Sequence, residues 1–452
     1  MRIALLGGTL LVATAAAGGP KLNADQCVAI ALRESGTVAE AQGKVTEWAG
    51  RLAEVQATFY PKLMGLTYVA PLYRVTGDAS TFDVQRNFSQ WGPYAHLEAI
   101  LAQPIYTFGR AAAGEKAASE RLEVEKAQAQ VTRNTVALEV RKFYYLHLFA
   151  KSMLPALSSA RRILNEAETT AKDLYEKSTG QVTNVDLMKL RYGSTELDKF
   201  VTQAEIGANL ALGALKHTMG LPQEAELELA DETLPELSEE PLPPLATYVQ
   251  QAWEMRPEVA QLRHGEAAAL SFEEAERLSS MPVAFVAGQL SLNWTPMWPD
   301  LPNPFHWDRY NDITPGIAVG MQFDVDIAKS LAKAKSAHGT VEQVEGLKKF
   351  AKTGIPIEVR KAYDDYVQAK RLAELSEEGS TAGRKWMIFA GSAYVAGTGE
   401  AKDLLEGMVA YLGAKKGYYE AVQNAHVAKA TLLYVTGQSG AAADAPVVPI
   451  AR

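Results

Sequence analysis

Two stretches of this chain read almost alike. Residues 137–151 are ALEVRKFYYLHLFAK and residues 356–370 are PIEVRKAYDDYVQAK, so Glu139-Val140-Arg141-Lys142 returns as Glu358-Val359-Arg360-Lys361, 219 positions later. The same offset carries Lys116 onto Lys335, Tyr175 onto Tyr394, Thr179 onto Thr398 and Gly180 onto Gly399; a slip to 221 carries Pro61 onto Pro282. A recurrence of this kind is the signature of a duplicated architecture. It constrains the chain more than its 452 residues do. Length alone suggests about three domains, whereas duplication predicts two similar halves of one body.

Each half reads as the same succession of elements. Residues 22–59 place Val28, Leu32, Val38, Val45 and Leu52 at helical spacing, and 245–281 follow the same pattern. Both end at a proline, which drives the preceding residue out of the helical region. The period then changes to two. Leu290, Leu292 and Trp294 oppose Gln289, Ser291 and Asn293; Ile313, Ile317, Val319, Met321 and Phe323 alternate with Thr314, Gly316, Ala318, Gly320, Gln322 and Asp324. One apolar face and one small or polar face over such lengths fits a strand of a membrane barrel or of a soluble sandwich. Residues 295–312, with four prolines and Trp298, Phe305, Trp307 and Tyr310, tip the balance, because aromatics at strand ends suit a membrane interface. In the first half, 63–74 and 94–106 are the expected strands, joined by a polar loop over 75–93. His96 and Glu98 leave the outward face of that hairpin open.

A very long helix follows each hairpin, from Gly109 to Lys177 and from Ala328 onward. The first is roughly 100 Å long at the helical rise, and Leu157, Ala160, Leu164, Ala167, Ala171 and Leu174 give it a coiled-coil seam. Pro155 and Pro356 are expected to kink the two helices. Glycine-bearing turns near 175–182 and 394–401 lead into return helices closed by Gly220 and Gly437 as C-caps. The expected organisation is a signal peptide at 1–17, a first repeat at 18–220 with its hairpin at 62–107, an acidic proline-rich linker at 221–244, a second repeat at 245–437 with its hairpin at 283–326, and a disordered tail at 438–452.

Arg2 precedes an apolar run to Ala17 that ends in Ala15-Ala16-Ala17, which reads as a cleavable secretory signal. No later run is apolar enough for a spanning helix, so passage through a membrane must use strands. The net charge of −8 argues against a nucleic-acid partner. Cys27 is the only cysteine, so no intrachain disulfide forms. Its neighbours Ala24, Asp25 and Gln26 are not the setting of a lipid-modified cysteine. No metal, phosphate or nucleophile motif is present; no catalytic residue, cofactor or metal ligand is expected, and His147 and His426 read as packing residues.

Four spanning strands cannot close a barrel, and lipid does not tolerate open edges. Other copies must complete it, by cyclic symmetry; a trimer supplies 12 strands and leaves a pore. The fold class expected is mainly α with a membrane β-barrel portion: a long-helix α-barrel plus four strands per protomer, with an internal two-fold repeat. A secreted coiled-coil scaffold with a soluble β-tip is the alternative.

These features together resemble the TolC family of outer-membrane efflux proteins, over essentially the whole chain after the signal segment. The carriers are QPIYTFGR at 103–110, EVRKFYY, EVRKAYDDY, YVAGTGEAKDLLE at 394–406 and AKATLLYVTG at 428–437. The resemblance implies a homotrimer in the outer membrane with its helical tunnel in the periplasm. A periplasmic adaptor docks to the tip and links it to an inner-membrane pump, and the trimer is the exit duct of tripartite efflux or type I secretion. It also implies that Asp403 and Glu406 narrow the periplasmic aperture, that Tyr394 latches against Thr183 and Asn184, and that Tyr175, Thr179, Gly180, Thr398 and Gly399 meet the adaptor. Gly399 stands where a relative places a basic residue and Asn184 where it places an acid, so the closed state is expected to rest on hydrogen bonds and packing.

Overall fold

The computed structural model describes residues 21–78, 83–177, 182–238, 240–300, 308–323 and 326–439. The signal segment, Thr179, Gly180 and the end of the tail lie outside the described residues. Helix dominates. The order is β1 (Lys21–Leu22), α1 (Ala24–Glu34), α2 (Gly36–Gln56), β2 (Lys62–Asp78), β3 (Asp83–Tyr106), α3 (Arg110–Glu176) and α4 (Asn184–Thr218). It continues with β4 (Glu228–Leu229), α5 (Leu245–Met255), α6 (Pro257–Arg277), β5 (Val283–Trp294), β6 (Asp312–Gln322), α7 (Ile327–Val395) and α8 (Ala401–Val435). Helices α1 and α5 have 11 residues each, α2 and α6 have 21, and α4 and α8 have 35.

Two expectations change in detail. The helices read over 22–59 and 245–281 are each broken once, at Ser35 and Arg256, both in extended backbone. Pro257 explains the second break, since it pushes the preceding residue out of the helix. The polar loop read over 75–93 is mostly strand: β2 and β3 keep pairing from Arg74–Asn87 to Asp78–Asp83 beyond a bulge at Tyr73/Arg74. Local composition hides this, because the pairing that makes a strand is made across the hairpin. Helices α3 and α7 stay helical through Pro155 and Pro356.

The chain divides into two compact units. One holds Lys44–Lys126 and Ala260–Lys349, and in it the four long strands form one antiparallel sheet in the order β2-β3-β5-β6. Cross-strand partners share a face, so the register decides what alternation in β3 left open. Leu63, Leu101, Leu97, Leu292, Ile313 and Ile317 fall on one face; His96, Glu98, Gln289, Ser291, Asn293 and Thr314 fall on the other, with Met64, Leu66 and Tyr68. The polar face is bonded across strands: Gln289 Nε2 donates to Glu98 (3.0 Å), and Asn293 Oδ1 accepts from Tyr94 and meets His96 Nδ1 (2.7 Å each). The apolar face is bare; Ile317 is 87% and Val319 75% exposed.

The QPIYTFGR junction has a local reason. Phe108 and Gly109 both take positive φ, 53° and 88°, turning the end of β3 into α3. Thr107 accepts the first helical amides, its carbonyl from Arg110 N (3.1 Å) and its hydroxyl from Ala111 N (3.3 Å).

The other unit holds the remaining helical lengths and the 221–244 segment. One core packs α1 against Val136, Val140, Tyr144 and Leu148 of α3 and Leu215 of α4; another packs Ala252 of α5 against Ile355, Val359, Ala362 and Tyr366 of α7 and Leu432 of α8. The twin tetrads sit at these cores with opposite polarity. Arg141 donates to Asp25 of α1 (2.9 Å), while Glu358 accepts from Arg256 at the α5–α6 break (2.7 Å). Both arginines are buried and paired, as burial of charge demands. The acidic segment is strapped to the helices. Asp231 accepts from Tyr144 (2.7 Å), Leu234 N donates to Ser152, and Ser238 O accepts from Lys370. Glu228–Leu229 pairs in parallel with Lys21–Leu22.

Candidate functional site at the α7–α8 turn

The turn after α7 is built by glycine. Gly397 takes φ +77°, Gly397 N donates to Tyr394 O (2.9 Å) and Thr398 N to Ala393 O (2.9 Å). This is a Schellman closure, and it satisfies carbonyls the helix end would leave bare. The residue that turns the chain is therefore Gly397, which the repeat pattern did not single out. Gly399 lies so close that an added Cβ would meet Ala393 Cβ and Tyr394 N at 3.0 Å. Thr398 is exposed and its hydroxyl donates to Ala393 O (3.2 Å). In the other turn Tyr175 is exposed near the end of α3.

The start of α4 is a capping box. Thr183 Oγ1 accepts from Asp186 N (3.3 Å) and donates to Asp186 Oδ2 (2.7 Å), and Thr183 N donates to the same oxygen (3.1 Å). These bonds, Thr183's first, hold the Asp186 carboxyl below the usual carboxylate range, and Lys189 adds to the effect. The Thr183-x-x-Asp186 spacing is the readable sequence signal of this cap. Asn184 is the exposed first residue of the helix.

Tyr394 is buried among Ala167, Ala171, Leu190, Ala401 and Leu404, with Val182 packed nearby. Burial, and then the Asp186 carboxylate, push its phenol up. Its hydroxyl makes no hydrogen bond among the described residues. The structure thus brings Tyr394 to the α4 cap, but Thr183 and Asp186 satisfy one another rather than the tyrosine. Asp403 and Glu406 are exposed on α8, one turn apart, while Leu404, Gly407 and Met408 face the core. Asp403 lies in the first helical turn, where the amide dipoles favour an acid. Glu406 meets Lys402 at 3.8 Å.

Glycines let these helices approach. An added Cβ on Gly383 of α7 would meet Tyr411 Cα at 3.0 Å, and one on Gly407 of α8 would meet Met387 Cα at 3.2 Å. Arg161 of α3 bridges to α4 through Ser194 O (3.0 Å) and Asp198 (2.6 Å). Beside it opens a groove of about 920 Å³, lined by Arg161, Asn165, Thr169, Asp198, Val201 and Val395. Among the described residues no cluster of His, Cys, Asp and Glu is placed to hold a metal, and no helix is long and apolar enough to cross a membrane. The arrangement is a pair of acids on a surface helix that follows a tightly packed turn.

Several solved structures superpose on this chain over most of its length. The Campylobacter jejuni CmeC outer-membrane channel superposes with a TM-score of 0.76 over 97% of this chain and 94% of its own, at 13% identity. The outer-membrane channel OprN gives 0.74 over 92% and 89%, at 15%. The chain has the fold of the TolC family. The open state of the Neisseria gonorrhoeae MtrE outer-membrane channel gives 0.72 over 93% and 90%, at 16%. At such identities the likeness establishes the TolC-like fold alone. No family model and no curated protein sequence matches the chain.

Proposed function

We propose that the chain is one protomer of a homotrimeric outer-membrane channel, the exit duct of a tripartite efflux or type I secretion system, gated at its periplasmic end. The observation that carries this is the sheet. Its outer strands β2 and β6 each pair on one side only among the described residues, and one face is apolar and bare. In water each such side chain forgoes roughly 1.5–3 kcal/mol of burial, and two open edges invite further strands. Lipid against that face and strands of two other copies at the edges remove both costs, and four strands from each of three copies make a closed barrel. Exposed apolar side chains on the helices, among them Val185, Met188 and Tyr192 of α4 and Phe389 of α7, support contact with further copies. The matched lengths of the helices in the two halves support the duplicated organisation, with the repeats at 18–220 and 245–437 and the signal peptide at 1–17.

In this reading Asp403 and Glu406 of three copies ring the aperture and attract cations, and Tyr394 with Thr183 and Asn184 holds it closed. The turns bearing Tyr175, Thr179, Gly180, Thr398 and Gly399 meet a periplasmic adaptor that leads to an inner-membrane pump. Extraction from outer membranes is expected to need detergent and to yield a trimer by light scattering; release without detergent would favour the secreted scaffold. In planar bilayers, Asp403→Ala with Glu406→Ala is expected to raise single-channel conductance and weaken block by divalent cations. A channel whose conductance and block are unchanged by that pair would overturn the gate assignment.

A further inference from the structure

The described ends of the connection between β5 and β6, residues 295–300 and 308–311, are fixed onto the sheet. Thr295, 2% exposed, donates from its hydroxyl to Pro93 O (2.8 Å) and from its amide to Asn311 Oδ1 (2.7 Å). Met297 O accepts from Val75 N (2.9 Å) and Trp298 O from Asn311 Nδ2 (3.2 Å). Asp308 Oδ1 accepts from the amides of Tyr310 (2.9 Å) and Asn311 (3.1 Å). Met297 fills the space a side chain at Gly92 would take, so glycine at 92 lets the connection lie against β3. Trp298 packs on Tyr310 with ring centroids 4.3 Å apart, and Tyr310 meets Tyr94 edge-on at 5.6 Å.

The side of the sheet matters. Gly92 pairs with Leu72 in the alternation that places Tyr68 opposite His96, and Tyr94 bonds Asn293. Met297 and Tyr310 therefore stand over the polar face, with Trp298 packed between Tyr310 and Tyr73 at the bulge. In a barrel whose apolar face meets lipid, the polar face lines the lumen. Resting on the trimeric barrel proposed above, the geometry points to a fixed aromatic constriction inside the barrel, built by Met297, Trp298 and Tyr310 over Gly92 and Tyr94, that limits the size of solutes passing the strands. Three symmetry copies project the same rings inward. It belongs to a different compact unit from the acids at 403 and 406, and it is held by hydrogen bonds between side chains and backbone groups.

The test uses the full chain in planar bilayers and in liposomes, in the wild-type background and with Asp403→Ala and Glu406→Ala. Trp298→Ala with Tyr310→Ala is expected to raise conductance about twofold and to admit larger neutral polymers, while Trp298→Phe shifts both by less in the same direction. Pores that form with unaltered conductance and polymer exclusion in the double variant would overturn the constriction and leave the channel reading standing. No pores from any version would remove the channel reading and the constriction with it. A second measurement decides if the aromatic variants fail to assemble. Cys27 is buried, so a charged thiol reagent on Met297→Cys reports that position alone. Current should fall on modification there and stay constant for Ile317→Cys on the apolar face; no fall at Met297→Cys would overturn the proposal.

Discussion

Gly397 shows how much one residue can carry. Its φ of +77° is a conformation in which a Cβ crowds the following carbonyl, so Gly397→Ala is expected to cost about 1 kcal/mol and to lower the melting temperature measured by circular dichroism. Tyr394 makes the opposite case. Its ring is buried in the core while its hydroxyl is buried without a hydrogen bond among the described residues, and such an oxygen is costly to keep. Tyr394→Phe is expected to leave stability unchanged or to raise it by up to about 1 kcal/mol. A fall in melting temperature would instead locate a partner for that hydroxyl on another chain, as a latch between protomers requires.

Among elements, the helix pair α7–α8 depends on backbone approach. Gly383 faces Tyr411 Cα, and Gly407 faces Met387 Cα; neither neighbour is a flexible side-chain end that can swing away. Gly383→Leu is expected to cost about 1–3 kcal/mol by overpacking, read as a lower denaturant midpoint at unchanged slope. Small residues also make up the α3 seam read from sequence. Leu157, Ala160, Leu164, Ala167 and Ala171 are all buried in the core that receives α4, α7 and α8. The periodicity was legible because a long helix repeats its geometry every turn. The short break at Ser35 was not legible as a break, whereas Pro257 marks the one at Arg256. A one-residue extended kink leaves the apolar spacing on either side intact.

At the scale of the molecule, two half-buried histidines tie stability to pH. His147 Nδ1 bonds Ala208 O and His426 Nε2 bonds Pro235 O, each at 2.8 Å, and His426 stacks on Tyr145. Burial holds both below the ordinary 6.5. The unfolded chain then binds more protons than the fold just below that pH. The stabilisation is complete above 6.5 and is lost as pH falls toward the lowered folded values. The melting temperature is expected to drop between pH 7.5 and pH 5.5, with a shallower drop in His426→Gln. The sheet adds its own dependence on surroundings, because its bare apolar face is stabilised only against lipid or detergent.

The sequence alone determined what is periodic or local. The long helices follow from heptad spacing, the closing glycines at 220 and 437 from their unique freedom at positive φ, and the β5–β6 alternation from a period of two. The tertiary structure decided what depends on partners distant in the chain. Register with β5 placed Glu98 and His96 on the polar face, which alternation within β3 could not choose. Pairing across the β2–β3 hairpin turned the polar 75–93 stretch into strand. Folding gave the twin EVRK tetrads opposite uses, Arg141 toward Asp25 and Glu358 toward Arg256. A charge on a helix surface carries no record of its partner until another element is packed against it.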